Sequence, residues 1–198
     1  MKRRVLTIAI LISLAAPAWA GILEAYLAFE RGDYETALRE FRPLAEQGHA
    51  NAQYNLGLMY DEGRGVPQDY AEAVKWYRKA AEQGTARAQA NLGTMYANGH
   101  GVPRDYGEAV KLYKKAAEQG NAVALNNLGF MYDNGRGVPQ DYVQAHMWFN
   151  LAVSNLAAGA DRDKAVLYRD IIAKRMTPAD VSKAQRLARE WMAKKESR

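Results

Sequence analysis

Ala52-Gln53-Tyr54-Asn55-Leu56-Gly57-Leu58-Met59-Tyr60 leads, after Asp61 and Glu62, into Gly63-Arg64-Gly65-Val66-Pro67-Gln68-Asp69-Tyr70. Ala73 to Ala81 and a closing Glu82-Gln83-Gly84 complete the stretch. The whole 36-residue unit returns twice. Residues 49–84 and 85–120 are identical at 25 of 36 positions without a gap, and 121–156 keeps the register with 19 identities to the first block. A fixed period of this length marks a stacked repeat rather than one globular core.

Within each unit the physical instructions are local. Ala52, Leu56, Met59 and Tyr60 fall at helical spacing and define a first helix, A. Gly57, repeated as Gly93 and Gly129, leaves a spot without a side chain where another helix can approach. Two glycines and a proline within residues 63–67 then stop the helix. Asp69 restarts one as an N-cap, with Glu72 three residues on; Asp105 with Glu108 and Asp141 with Gln144 repeat the pattern. The second helix, B, is expected to bury Ala73, Val74, Tyr77, Ala80 and Ala81, and Gly84 or Gly120 supplies the left-handed residue that ends it. Two short helices with one apolar stripe each cannot bury it alone, so stacked pairs share a continuous core and the expected fold is an all-α superhelical solenoid.

The Leu-Gly-x-Met-Tyr run, the Gly-x-Gly-Val-Pro-x-Asp-Tyr loop and the Ala-Ala-Glu-Gln-Gly close resemble Sel1-like repeats, relatives of the tetratricopeptide repeat. The resemblance implies a right-handed α/α solenoid with full repeats at 49–84, 85–120 and 121–156. Residues 21–48 read as a degenerate N-terminal repeat: Gly32-Asp33-Tyr34 and Ala45-Glu46-Gln47-Gly48 align with later blocks, but the Gly-Val-Pro loop is missing. Residues 157–198 read as capping helices, one over Asp161–Arg175 and one begun by Thr177-Pro178, with Val181, Ala184, Leu187, Ala188 and Trp191 on its apolar face. The tail from Lys194 to Arg198 is expected to fray.

Lys2-Arg3-Arg4, the uncharged run Val5–Ala16 and the small-residue triplet Ala18-Trp19-Ala20 have the form of a secretory signal peptide, with cleavage expected after Ala20. The apolar run is short for a membrane span, which takes roughly 20 residues. Without residues 1–20 the chain has 24 Lys and Arg against 22 Asp and Glu, a net +2 that gives no reason to expect nucleic acid or an anionic membrane as a partner. The absence of cysteine excludes disulfides, a thiolate metal site, a Cys nucleophile and a lipid-modified Cys anchor. The periplasm is the expected destination, with secretion as the alternative.

Little in the sequence points to catalysis. His49, His100 and His146 share no ligand-type spacing and are expected to be polar surface positions. Glu72, Glu82, Glu108 and Glu118 recur with the repeat, as caps and solvated residues do. The Gly-rich loops would make an anion nest, but a phosphate loop follows a strand and none is expected. The repeating tyrosines, with Trp76, Trp148 and Trp191, fit core packing. No catalytic, cofactor-binding or metal-binding residue is therefore assigned.

Binding is sought at positions that the repeat does not dictate. On helix A these are Asn51, Arg87, Val123; Tyr54, Ala90, Asn126; Leu58, Thr94, Phe130; Asp61, Ala97, Asp133; and Glu62, Asn98, Asn134, which share one helical stripe. By similarity to tetratricopeptide solenoids, helix A lines the concave groove. A protein or peptide partner is then expected to meet Asn51, Tyr54, Leu58, Asp61, Arg87, Thr94, Asn98, Asn126, Phe130 and Asp133. Tyr54, Leu58 and Phe130 would be exposed anchors, with Arg87, Asp61 and Asp133 orienting the ligand. The expected function is an exported adaptor. A hydrolase of cell-wall peptides or β-lactams, proposed for disulfide-rich members of the family, and a self-associating structural module are the alternatives.

Overall fold

The computed structural model describes residues 21–197, so the expected signal peptide lies outside the described residues. All regular structure among the described residues is helical. The elements are α1 (residues 21–30), α2 (Tyr34–Glu46), α3 (Ala50–Glu62), α4 (Tyr70–Glu82), α5 (Ala86–Asn98), α6 (Tyr106–Glu118), α7 (Ala122–Asn134), α8 (Tyr142–Asn155), α9 (Ala160–Ala173) and α10 (Pro178–Glu196). Helices α3, α5 and α7 are the three copies of helix A, and α4, α6 and α8 those of helix B.

The boundaries fall where the residues dictate. Asp69 accepts hydrogen bonds from the amides of Ala71 and Glu72, Asp105 from that of Glu108 and Asp141 from that of Gln144, each satisfying a donor otherwise orphaned at a helix start. The side chains of Glu72 and Glu108 turn forward instead, to Lys75 and Lys111. Every A-to-B loop is closed by the same bond: the Asp69, Asp105 and Asp141 amides donate at 2.9 Å to the carbonyls of Tyr60, Tyr96 and Tyr132. Gly84, at φ 89°, ends α4 with its amide on Ala81 and the Thr85 amide on Ala80, the pairing of a left-handed helix stop.

The chain divides into two compact units, with the boundary between Thr85 and Ala86. In the first, Ala25, Ala28, Phe41, Ala52, Leu56 and Met59 are buried together, with Tyr26 edge-on to Phe41 at 5.5 Å. Gly57 sits beneath the Tyr77 ring so closely that a Cβ there would lie 2.7 Å from a ring carbon. The buried Gln53 amide donates to the Ala45 carbonyl at 3.0 Å and accepts from Gln83 at 2.8 Å, while Gln83 also donates to the Gly48 carbonyl, so a polar bridge ties three helices. At the loop, a Cβ on Gly65 would press on the Tyr34 backbone, and the Arg64 guanidinium lies over the rings of Phe29 and Tyr34 at 5.4 and 5.6 Å.

The second unit repeats these devices and then departs from them. Gly93 lies beneath Tyr113 and Gly129 beneath Phe149, and Gln119 donates to Gln89 at 3.0 Å. In the third copy Leu125 replaces the bridging glutamine and is fully buried. Helix α8 carries Met147, Trp148, Phe149 and Leu151 into the core, and α9 and α10 both pack on it. Trp148 meets Trp191 edge-on at 5.9 Å, with Ala184 and Ala188 buried beside them. One expectation is corrected: Ala81 is only partly buried. At the other end α10 continues to Glu196, with the Lys195 ammonium 5.7 Å above the Trp191 ring.

Candidate partner-binding surface

The variable stripe of helix A is two sets of residues, one in each unit. In the first unit it runs along α3 as Asn51, exposed, then Tyr54, Leu58 and Asp61, each half-buried. Its floor is Tyr77 of α4, which Gly57 admits to the helix surface. The Tyr54 and Tyr77 rings are 5.9 Å apart and tilted by 34°, and the Tyr77 hydroxyl donates to Asp61 at 3.0 Å. The strip thus offers an apolar middle, Tyr54 and Leu58, between a neutral polar residue and a carboxylate that is held in place.

In the second unit α5 contributes exposed Arg87 and Asn98 at its two ends and half-buried Thr94 between them. The Thr94 hydroxyl lies 3.1 Å from that of Tyr113. Burial pushes the Tyr113 hydroxyl's pKa up, against the opposing pull of its hydrogen bonds with Thr94 and Asn127. On α7 the expectation of exposed anchors fails. Phe130 is packed between Phe149 of α8, at 5.1 Å, and Tyr168 of α9, at 4.6 Å, and Asp133 accepts from Arg175 at 3.2 Å. Helix α9, which belongs to no repeat, covers this end of the stripe, so Phe130 and Asp133 serve the protein's own packing. Asn126 is half-buried, and its side-chain oxygen is enclosed with no hydrogen-bond partner.

The histidines also need correction. His146 is not a surface residue but 3% exposed, with Nδ1 unpartnered. It occupies the helix-B position that Val74 and Val110 fill in the other copies, both buried. Burial pushes its pKa below the usual histidine range; Arg169 of α9 adds to this and Asp170 opposes it. Among the described residues no group of His, Asp and Glu is placed to hold a metal ion, and no helix is long and apolar enough to cross a membrane.

The residues missed from sequence are Tyr77 and Tyr113, whose hydroxyls reach the stripe from beneath. The signal was the invariant pairing of a helix-A glycine with a helix-B aromatic 20 residues later.

A repeated helix pair with a variable, side-chain-lined strip on one helix over a recurring core defines a helical-repeat scaffold of the protein-binding class. The chain belongs to the Sel1 repeat family: the family's sequence model matches residues 50–85, 86–121 and 122–155, together more than half of the chain. Such repeats generally serve as protein-interaction scaffolds, and no catalytic family is indicated. Among solved structures the chain is similar to c5321, a protective antigen of uropathogenic Escherichia coli with an SLR fold. The TM-score is 0.67 at 37% identity, over 80% of this chain and 38% of that one. It is also similar to a Sel1 repeat protein from Oxalobacter formigenes, with a TM-score of 0.64 at 31% identity, over 84% of this chain and 73% of that one. Two curated relatives, the DAP3-binding cell death enhancer 1 of rat and of mouse, share 47% identity over 38 residues, 19% of this chain and only 8% of theirs.

Proposed function

We propose that the chain is an exported adaptor that receives a peptide or a helix of a partner protein along the α3 strip. The observation that carries this reading is the strip itself: Tyr54 and Leu58 form an apolar middle at positions where the repeat imposes no residue, with Asn51 and Asp61 at its ends. Half-buried aromatic and aliphatic groups of this kind anchor partner helices by burying area at little conformational cost, while flanking polar groups fix orientation. Arg87, Thr94 and Asn98 on α5 offer a second, more polar strip for the same ligand class. Export rests on Lys2-Arg3-Arg4, the apolar run after them and Ala18-Trp19-Ala20.

A photo-crosslinking residue placed at Leu58 in the producing cells, beside one at the exposed Lys79 of α4, tests the adaptor reading. A protein captured from Leu58 and not from Lys79, whose binding in purified form is weakened at least tenfold by Leu58→Arg, supports it. Capture only from Lys79, or unchanged affinity in the variant, overturns it. Export is tested separately: mass spectrometry of the protein from the cell envelope or medium should find an N-terminus at Gly21.

A further inference from the structure

We propose that the protein associates with copies of itself head to tail, the exposed face of α10 on one copy docking against the exposed face of α1 on the next. The inference does not depend on the α3 strip. It starts from how charge is distributed along the chain. Residues 174–198 carry eight Lys and Arg against three Asp and Glu, whereas residues 21–85 carry eleven Asp and Glu against seven Lys and Arg. The net charge of +2 over 21–198 conceals two ends of opposite sign.

The structure places these charges on surfaces. On α10 the apolar side is consumed by Ala184, Ala188 and Trp191 in the core, which turns Lys183, Arg186 and Arg189 to solvent along a shallow 430 Å³ depression. Glu190 partly offsets them, 3.6 Å from Arg186 in a pair whose members are both 62% exposed, a geometry that contributes little. Met192, 37% exposed, adds an apolar contact beside this face. On α1, Leu23 and Leu27 are one helical turn apart and 60% and 46% exposed. Glu24 and Glu30 flank them, with Glu24 loosely held by Arg31 at 3.7 Å. An apolar pair bracketed by carboxylates thus faces, on the next copy, guanidinium and ammonium groups beside a methionine.

A second copy fits better than another polyanion because both complementary faces belong to one molecule whose overall charge is nearly balanced, so steering is not opposed by net repulsion. The two faces differ, so the contact is heterologous, each copy offering α10 to one neighbour and α1 to another. Because the pairing is electrostatic and exposed, it is weak and sensitive to salt.

Sedimentation velocity of the purified protein over a concentration series, in about 50 mM and about 500 mM salt, reads this directly. Two double variants are compared, Arg186→Glu with Arg189→Glu and Glu24→Lys with Glu30→Lys, after circular dichroism shows unchanged helicity. The expected result is a wild-type average mass that rises with concentration at low salt and returns to the monomer at high salt, with each variant monomeric throughout. An equimolar mixture of the two variants should associate again, because the unaltered α10 of one meets the unaltered α1 of the other and the two charge-reversed faces match as well. A wild-type protein that stays monomeric at low salt, or a mixture that stays monomeric, overturns the proposal. So does a monomer whose α10 instead sediments with phosphatidylglycerol vesicles.

Discussion

Gly57 shows how a single residue reverses an ordinary rule. In an exposed helix interior, replacing glycine with alanine gains roughly 1 kcal/mol. Here the added methyl meets the Tyr77 ring at 2.7 Å, and the ring is itself fully buried. Gly57→Ala is therefore expected to destabilise, by about 1–3 kcal/mol, as overpacked cores do. Chemical denaturation of the variant beside an alanine at a helix residue facing solvent measures the difference. His146 reverses another rule. Its pKa in the folded protein lies below the ordinary 6.5, so the unfolded chain binds the proton more readily. The stability is fully present above about pH 6.5 and falls as the pH drops through the window down to the folded value. In His146→Val, which restores the residue type of the other copies, this loss disappears. The variant's advantage in denaturant midpoint should thus widen between pH 7 and pH 5; a constant offset over that range would exclude a titrating, buried His146.

At the scale of the element, the helix limits were legible because each one is made by its own residues. Asp69, Asp105 and Asp141 start helices through bonds to amides two or three positions away, and Gly84 ends one through its own φ. Removing such a cap with Asp105→Ala should cost about 1 kcal/mol and leave the fold intact, as thermal unfolding followed at 222 nm would show. What could not be read from the sequence were contacts between elements that share no period. The Phe130 position looked like an open groove because Leu58 and Thr94 precede it in register, but α9 lies against it, and nothing in residues 160–173 announces which helix they cover. His146 departs from expectation for a related reason: its chemical type suggests a polar surface position, but its register position is that of a buried valine. The α9 contact has its own consequence. Arg175→Ala and Tyr168→Ala together should loosen α9 from α7 and α8, raising hydrogen exchange through α9 while leaving α5 and α6 unchanged.

At the scale of the molecule, two units of unequal content share one chain. The first unit is closed by Phe41, Leu44, Leu56, Met59 and Tyr77 among alanines, whereas the second gathers the larger set of Tyr113, Trp148, Phe149, Leu151 and Trp191 around α8. Hydrogen exchange should therefore be slowest at the amides of α7 and α8, by about tenfold or more relative to α3 and α4, the equivalent of ~1.4 kcal/mol in opening free energy. Uniform protection across both units would show instead that the chain opens as one cooperative body.

The loop joint bears on how such a chain changes its length. Gly65 is seated on the backbone of Tyr34, and Gly137 on that of Tyr106, so in both of these loops the same glycine of the repeat meets the start of the preceding helix B. The socket is made of main chain and a tyrosine that every copy carries. A duplication of 36 codons therefore delivers both halves of the joint together, and the new repeat arrives with a fitting for each neighbour. The 25 identities between residues 49–84 and 85–120 are what such an event leaves behind. Evolution can lengthen this protein by whole repeats without first inventing a new interface.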